Sequence, residues 1–162
     1  MHPVLAPDFP VRWSTLVPEA VEADISHALE IAKQRIEAIC AQDPAAATYE
    51  STFLALENAT EELGDGWGRL NHLDSVSDNP AQREALNKML PVVSAFSAGL
   101  PLNAGLWKVL KAFADSPAAA ELDPVHARYV EETCAYFRNA GADLPADKKE
   151  SMAAVQAKLS EV

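Results

Sequence analysis

Residues 18–40 read PEAVEADISHALEIAKQRIEAIC, and their spacing decides the fold class. Val21, Ile25, Leu29, Ala32, Ile36 and Ile39 recur at intervals of three and four, which places them on one stripe of an α-helix. Glu22, Glu30, Lys33 and Glu37 fall off that stripe. Pro18 is a first-turn proline, where a missing N–H leaves no helical bond unmade. Asp43-Pro44 is the expected stop. The same period continues on both sides. Thr48 is the expected N-cap of a second helix carrying Phe53, Leu56, Thr60, Leu63, Trp67 and Leu70. That helix crosses Gly64, Gly66 and Gly68, each costing about 1 kcal/mol relative to Ala. A long helix with a weak middle, or two helices meeting there, is expected.

Asn79-Pro80, a cap residue before a proline, starts a third helix with Leu86, Met89, Val93, Phe96 and Leu100. Pro91 lies inside it and is expected to kink it near Asn87. Asn103 caps a short helix with Leu106, Leu110 and Phe113, and residues 116–122 read as a loop. Asp123-Pro124 opens a helix whose expected stripe is Val125, Tyr129, Thr133, Tyr136 and Ala140, stopped by Gly141. Pro145 opens the last helix, with Met152, Val155, Leu159 and Val162 on one face. That stripe runs to the final residue without a stop signal, so the chain is expected to be cut inside a helix. Before Pro18, Pro3, Pro7 and Pro10 mark an extended arm, with Phe9, Val11 and Trp13 expected to dock on the bundle. The expected fold is all-α: an antiparallel helical bundle of about six helices with an extended N-terminal arm, one domain over residues 1–162.

Composition agrees. The chain has 162 residues, 49% hydrophobic and 23% charged, which excludes disorder over its whole length. It holds 30 alanines, the best helix former, and no alternating strands around a hairpin turn. The balance of 13 basic and 24 acidic residues leaves −11, a surface that repels phosphate backbones and anionic lipid heads. Nucleic acid and membrane are therefore excluded as expected partners. Met89–Trp107 is uncharged but interrupted by Pro91, Gly99, Pro101 and Gly105, so it reads as a buried helix and turn rather than a span. The first residues lack a basic and apolar leader pattern. Cys40 and Cys134, both in helical runs, read as free thiols behaving as small hydrophobes in a reducing compartment, with a single disulfide between them as the open alternative.

No complete catalytic set is legible. The four histidines are His2, His27, His72 and His126, and none belongs to an H-E-x-x-H pair. At His27 the inverted form H-x-x-E-H fails, because Ile31 stands where the second histidine belongs. Asp24-x-x-His27 and Asp123-x-x-His126 mimic the acid-x-x-His pairs of di-metal bundles. Asp123 precedes a proline and is better used as an N-cap. The run Gly64-Asp65-Gly66-Trp67-Gly68 lacks the strand and the Lys-Ser/Thr of a phosphate loop; it reads as a close helix–helix approach or a helix break. Neither cysteine has a neighbouring histidine in sequence to activate it. Trp13, Trp67 and Trp107 are spread out and read as core anchors.

A series of short motifs goes further. It runs LNHLDSV (70–76), Asn79-Pro80, Arg83-Glu84-Ala85, Leu90-Pro91, and Gly105-Leu106-Trp107-Lys108. It continues with Tyr136-Phe137-Arg138-Asn139-Ala140-Gly141, Leu144-Pro145-Ala146-Asp147-Lys148-Lys149 and Lys158-Leu159-Ser160-Glu161. Phe9-Pro10 and Leu16-Val17-Pro18-Glu19 precede it. In order and spacing, over nearly the whole chain, this resembles the N-terminal helical region of the thimet-oligopeptidase family of zinc metallopeptidases. Asp74, where the family often has Asn, and the glycine run depart from the pattern.

The resemblance implies one wall of a deep, narrow channel that admits short peptides for cytosolic degradation. It implies a partner, the larger catalytic domain that bears H-E-x-x-H and the zinc, and none of those ligands is in this chain. It therefore implies no catalytic, metal or cofactor residue here and no hydrolysis by this chain alone, with channel-lining residues unassigned. An exposed apolar patch is expected where the missing part docks. Two alternatives stay open. One is a standalone helical binding or scaffold domain. The other is a small metal-binding bundle using Asp24, His27, Asp123 and His126.

Overall fold

The computed structural model describes residues 2–7 and 9–159, with side chains of the last helix described at 147–152, 154 and 155. All regular structure among them is helical. The helices are α1 (Pro18–Cys40), α2 (Ala55–Val76), α3 (Pro80–Gly99), α4 (Ala104–Ala114), α5 (Pro124–Asn139) and α6 (Ala146–Leu159).

Local chemistry starts and stops them largely as the sequence expects. Asn79 Oδ1 accepts from the N–H groups of Ala81 and Gln82, Asn103 Oδ1 from Leu106, and Asp123 Oδ1 from Val125 and His126. Gly141, just past α5, has φ +103°, the left-handed stop that glycine adopts without strain. Thr48 is the start signal before α2: its Oγ1 accepts from the Ser51 N–H while its own N–H donates to Ser51 Oγ. The first turn there, Glu50–Leu54, is a π turn rather than α.

α1 and α2 form an antiparallel spine, since Arg35 near the end of α1 reaches the Asn58 carbonyl near the start of α2. The spine serves two cores in succession. Where α1 ends and α2 begins, Ile36, Ile39, Phe53 and Leu56 meet Leu106, Leu110 and Phe113 of α4 and Val130, Cys134 and Phe137 of α5. At the other end, Val21, Ile25, Leu29, Leu63 and Leu70 meet Leu86, Met89 and Val93 of α3. Each such side chain fully removed from water contributes about 1.5–3 kcal/mol. The single stripe of α1 is therefore shared between two sets of helices. α6 packs on α3.

Some expectations hold and others change. Of the two readings of the glycine run, the single long helix is the one found, since α2 is continuous across it. α3 is also one helix, with the exposed Pro91 inside it. Residues 116–122 contain a 3-10 turn, Pro117–Glu121. The arm is not extended: it folds into 3-10 turns at Pro3–Leu5 and Trp13–Thr15. It docks through Val4 and Leu16, both buried, and through the partly buried Val11 as expected, while Phe9 is 98% exposed. In α5 the buried stripe is Val130, Cys134 and Phe137, whereas Val125 and Tyr136 are 75% and 56% exposed. Phe137 stacks on Trp107 of α4 at 5.8 Å between centroids, which turns the more apolar stripe inward and leaves the tyrosine hydroxyl of residue 136 to solvent.

In α6 Met152 is half-buried and Val155 exposed. The side chain of Leu159, Val162 and the expected cut through the helix lie outside the described residues. No single described helix is long and apolar enough to cross a membrane. α3 with its following turn and α4 pass that test only as a pair bent by 48°.

Candidate functional site

The two acid-x-x-His pairs are spent on separate local tasks. Asp24, buried on the core side of α1, accepts from the Val4 N–H at 2.8 Å and lies 2.9 Å from His2 Nδ1. His27 stacks on His2, the rings 4.1 Å apart and 7° from parallel. Face-to-face imidazoles direct their nitrogen lone pairs alongside one another rather than at a common ion. At the other pair, Asp123 caps α5 and bonds His126, whose ring meets Tyr49 edge-on at 4.7 Å. The His126 hydrogen bond and the backbone N–H donors hold the Asp123 carboxyl below the usual carboxylate range.

The two pairs belong to opposite ends of the spine. Among the described residues no three His, Cys, Asp or Glu gather in a metal-binding group. These donor sets do not fit a zinc ion.

The cysteines stay apart as free thiols. Burial raises the pKa of both, keeping them protonated and weak as nucleophiles. Cys40 abuts Gly105, where an added Cβ would lie 3.3 Å from the Cys40 Cβ, so this glycine marks the close approach of α1 and α4. Of the three tryptophans, Trp107 anchors the first core and Trp67 packs against the second from a half-buried position. Trp107 is buried, and its Nε1 donates to Asp143 at 2.8 Å. Trp13 is exposed and tilted against His72 at 5.2 Å.

Glu57 and Tyr129 link α2 to α5: the tyrosine hydroxyl donates to Glu57 Oε2 at 2.6 Å. Burial, and then the bond to Glu57, push the Tyr129 pKa well above the ordinary value of about 10. The unfolded chain therefore loses this proton first as pH rises. The contribution of Tyr129 to stability is complete below about pH 10 and falls as pH climbs toward its folded value. Denaturant melts from pH 8 to 11 are expected to show this alkaline loss, and Tyr129→Phe is expected to flatten it. An unchanged slope in the variant assigns the loss to other groups.

The most developed polar site was not legible as one. Arg69 of α2 donates through Nη1 to the carbonyls of Val4 and Ala6, opposite Asp24 on α1. Gly66, one turn before Arg69, faces the arm: an added Cβ would come within 2.7 Å of Leu5 Cδ2. The close approach expected at the glycine run is real, but it is made by the arm rather than by a second helix. One signal was available. Asp24 falls three residues after Val21 and four before Ala28, so an acid sits on the apolar stripe itself.

An all-helical spine with two cores, capped locally and carrying no gathered donor triad among its described residues, defines a helical packing domain. Residues 22–149 match the family "Neurolysin/Thimet oligopeptidase, N-terminal domain", and the chain belongs to that family. It is similar to oligopeptidase A of Escherichia coli, 28% identical over 161 residues, which is 99% of this chain and 24% of that protein. Oligopeptidase A of Salmonella typhimurium is 27% identical over 150 residues, 93% of this chain and 22% of that protein. A probable cytosolic oligopeptidase A of Arabidopsis thaliana is 28% identical over 107 residues, 66% of this chain and 15% of that protein. The chain thus spans less than a quarter of the length of the curated relatives it matches.

Proposed function

We propose that this chain is the N-terminal helical wall of a peptide channel in an oligopeptidase A-like zinc metallopeptidase that degrades short peptides in the cytosol. The observation that carries the proposal is the family match over residues 22–149, joined to a chain that covers 24% of a relative of that name. The zinc and the peptide-cleaving groups belong, in this proposal, to a catalytic domain beyond these residues. A rigid wall serves catalysis by orienting substrate and excluding water, which asks for packed helices rather than titrating side chains. Phe9, Trp13, Val17 and Val76, exposed apolar residues of the arm, the start of α1 and the end of α2, provide surface for that domain to cover.

The test is the mass of the native gene product, by immunoblot and mass spectrometry, with a peptidase assay on the same material. The expected product is several times larger than 17.4 kDa and cleaves a short quenched-fluorescent peptide in a chelator-sensitive way, while this chain alone does not. A native product of 17.4 kDa overturns the proposal in favour of a standalone binding domain.

A further inference from the structure

The first residues of the arm are held as a ligand is held. The Val4 side chain is fully buried, in the same core as Val21, Ile25 and Leu70. Its N–H donates to Asp24 Oδ2 at 2.8 Å, and its carbonyl accepts from Arg69 Nη1 at 3.3 Å. The Ala6 carbonyl accepts from the same guanidinium. His2 Nδ1 meets the other oxygen of Asp24, and its ring is sandwiched against His27. Gly66 withholds the Cβ that would collide with Leu5. Helix α1 thus contributes a carboxylate, α2 a guanidinium and bare backbone, and the gap between them a hole for one aliphatic side chain.

Two features separate this from ordinary packing. Asp24 is 2% exposed, and both of its hydrogen-bonding partners come from the arm rather than from the helices around it. A carboxylate so buried is costly without such partners, so the cleft is chemically incomplete until a peptide segment fills it. The chain then leaves the cleft, with Phe9 98% exposed, before it returns to the same core at Val11 and Leu16. An open groove of about 350 Å³, bordered by Leu5, Pro7, Arg35, Asp65 and Arg69, continues beside the arm. Pro3 stiffens the bound turn, which lowers the entropy lost on docking.

We propose that the α1–α2 cleft is a peptide-binding site, that residues 2–6 are its resident ligand in cis, and that it takes the same segment in trans. Recognition is through the N–H and carbonyl of a β-branched aliphatic residue, with a histidine two residues before it. A tethered segment competes at an effective concentration in the millimolar range, so the cleft is closed to other peptides while the arm is seated.

The experiment uses the full chain carrying Val4→Asp, which sets an acid beside Asp24 and ejects the arm. A fluorescent peptide of residues 1–7 is titrated into it and into the unaltered chain. Saturable 1:1 binding to the variant is expected, at least tenfold tighter than to the unaltered chain, and lost when the peptide itself carries Val4→Asp. Three results overturn the proposal: no binding to a variant that keeps its helical circular dichroism and cooperative melt, equal binding of both peptides, or collapse of the variant's fold. The last would make the segment part of the core rather than its ligand. None of these readouts depends on the mass or peptidase activity of the native product.

Discussion

Phe53→Ala is expected to lower the free energy of unfolding by about 3–5 kcal/mol. Domains of this kind are stable by only about 5–15 kcal/mol, so the variant is close to the limit of folding at all. Phe53 is fully buried and sits in the π turn that leads into α2. Its ring lies 6.5 Å from Tyr49, 5.9 Å from Phe113 and 6.4 Å from Tyr129, centroid to centroid. Truncation removes the transfer energy of one aromatic and its edge and face contacts with three others. It also leaves a cavity that the surrounding close-packed helices cannot fully close. Urea melts followed by circular dichroism check the value, with Phe9→Ala as the control. That residue is 98% exposed, and its loss is expected to stay within about 0.5 kcal/mol. A loss below about 1 kcal/mol for Phe53→Ala would show that this first core is not built around it.

The second large effect is a reversal of sign within one helix. Gly64 and Gly68 have nothing within 4 Å of the position an added Cβ would take. Ala at either one is expected to stabilise by about 0.5–1 kcal/mol, through helix propensity alone. At Gly66 the same added carbon meets Leu5 Cδ2 at 2.7 Å and Val4 Cγ1 at 3.4 Å. Ala is expected to gain little there, since the end of the Leu5 side chain must turn aside. Leu at 66 claims the space of the arm itself and is expected to destabilise by about 1–3 kcal/mol. Thermal melts of the four variants read this directly. Stabilisation by Gly66→Leu would mean that the arm is not seated on α2.

Much of the fold was legible because its signals are local. Asn79, Asn103 and Asp123 sit two or three residues from the N–H groups they cap, so sequence spacing is already the geometry. The α1 stripe was legible for the same reason, as every member lies within one turn of the next. The order of short motifs from Leu70 onward likewise pointed to the family that the match over residues 22–149 shows. The α5 face was not legible. Tyr129 meets the first core as expected, but Val125 and Tyr136 have as good a claim by period as Val130, Cys134 and Phe137, and the choice among these was made by Trp107, thirty residues away in the chain. The cleft that holds the arm was missed because its parts, His2, Val4, Asp24, Gly66 and Arg69, come from three separate stretches.

By itself, then, the amino-acid sequence determined that this chain is helical, where its helices start and stop, and which family it resembles. Those properties follow from hydrogen bonds and stripes that close within about four residues. Only the tertiary structure decided which face of α5 is buried, that Asp24 serves the arm rather than a metal with His27, and that Gly66 makes room for Leu5. Those outcomes depend on which groups meet across 20 to 65 residues of chain. Close packing admits one such arrangement, and nothing in the local spacing specifies it.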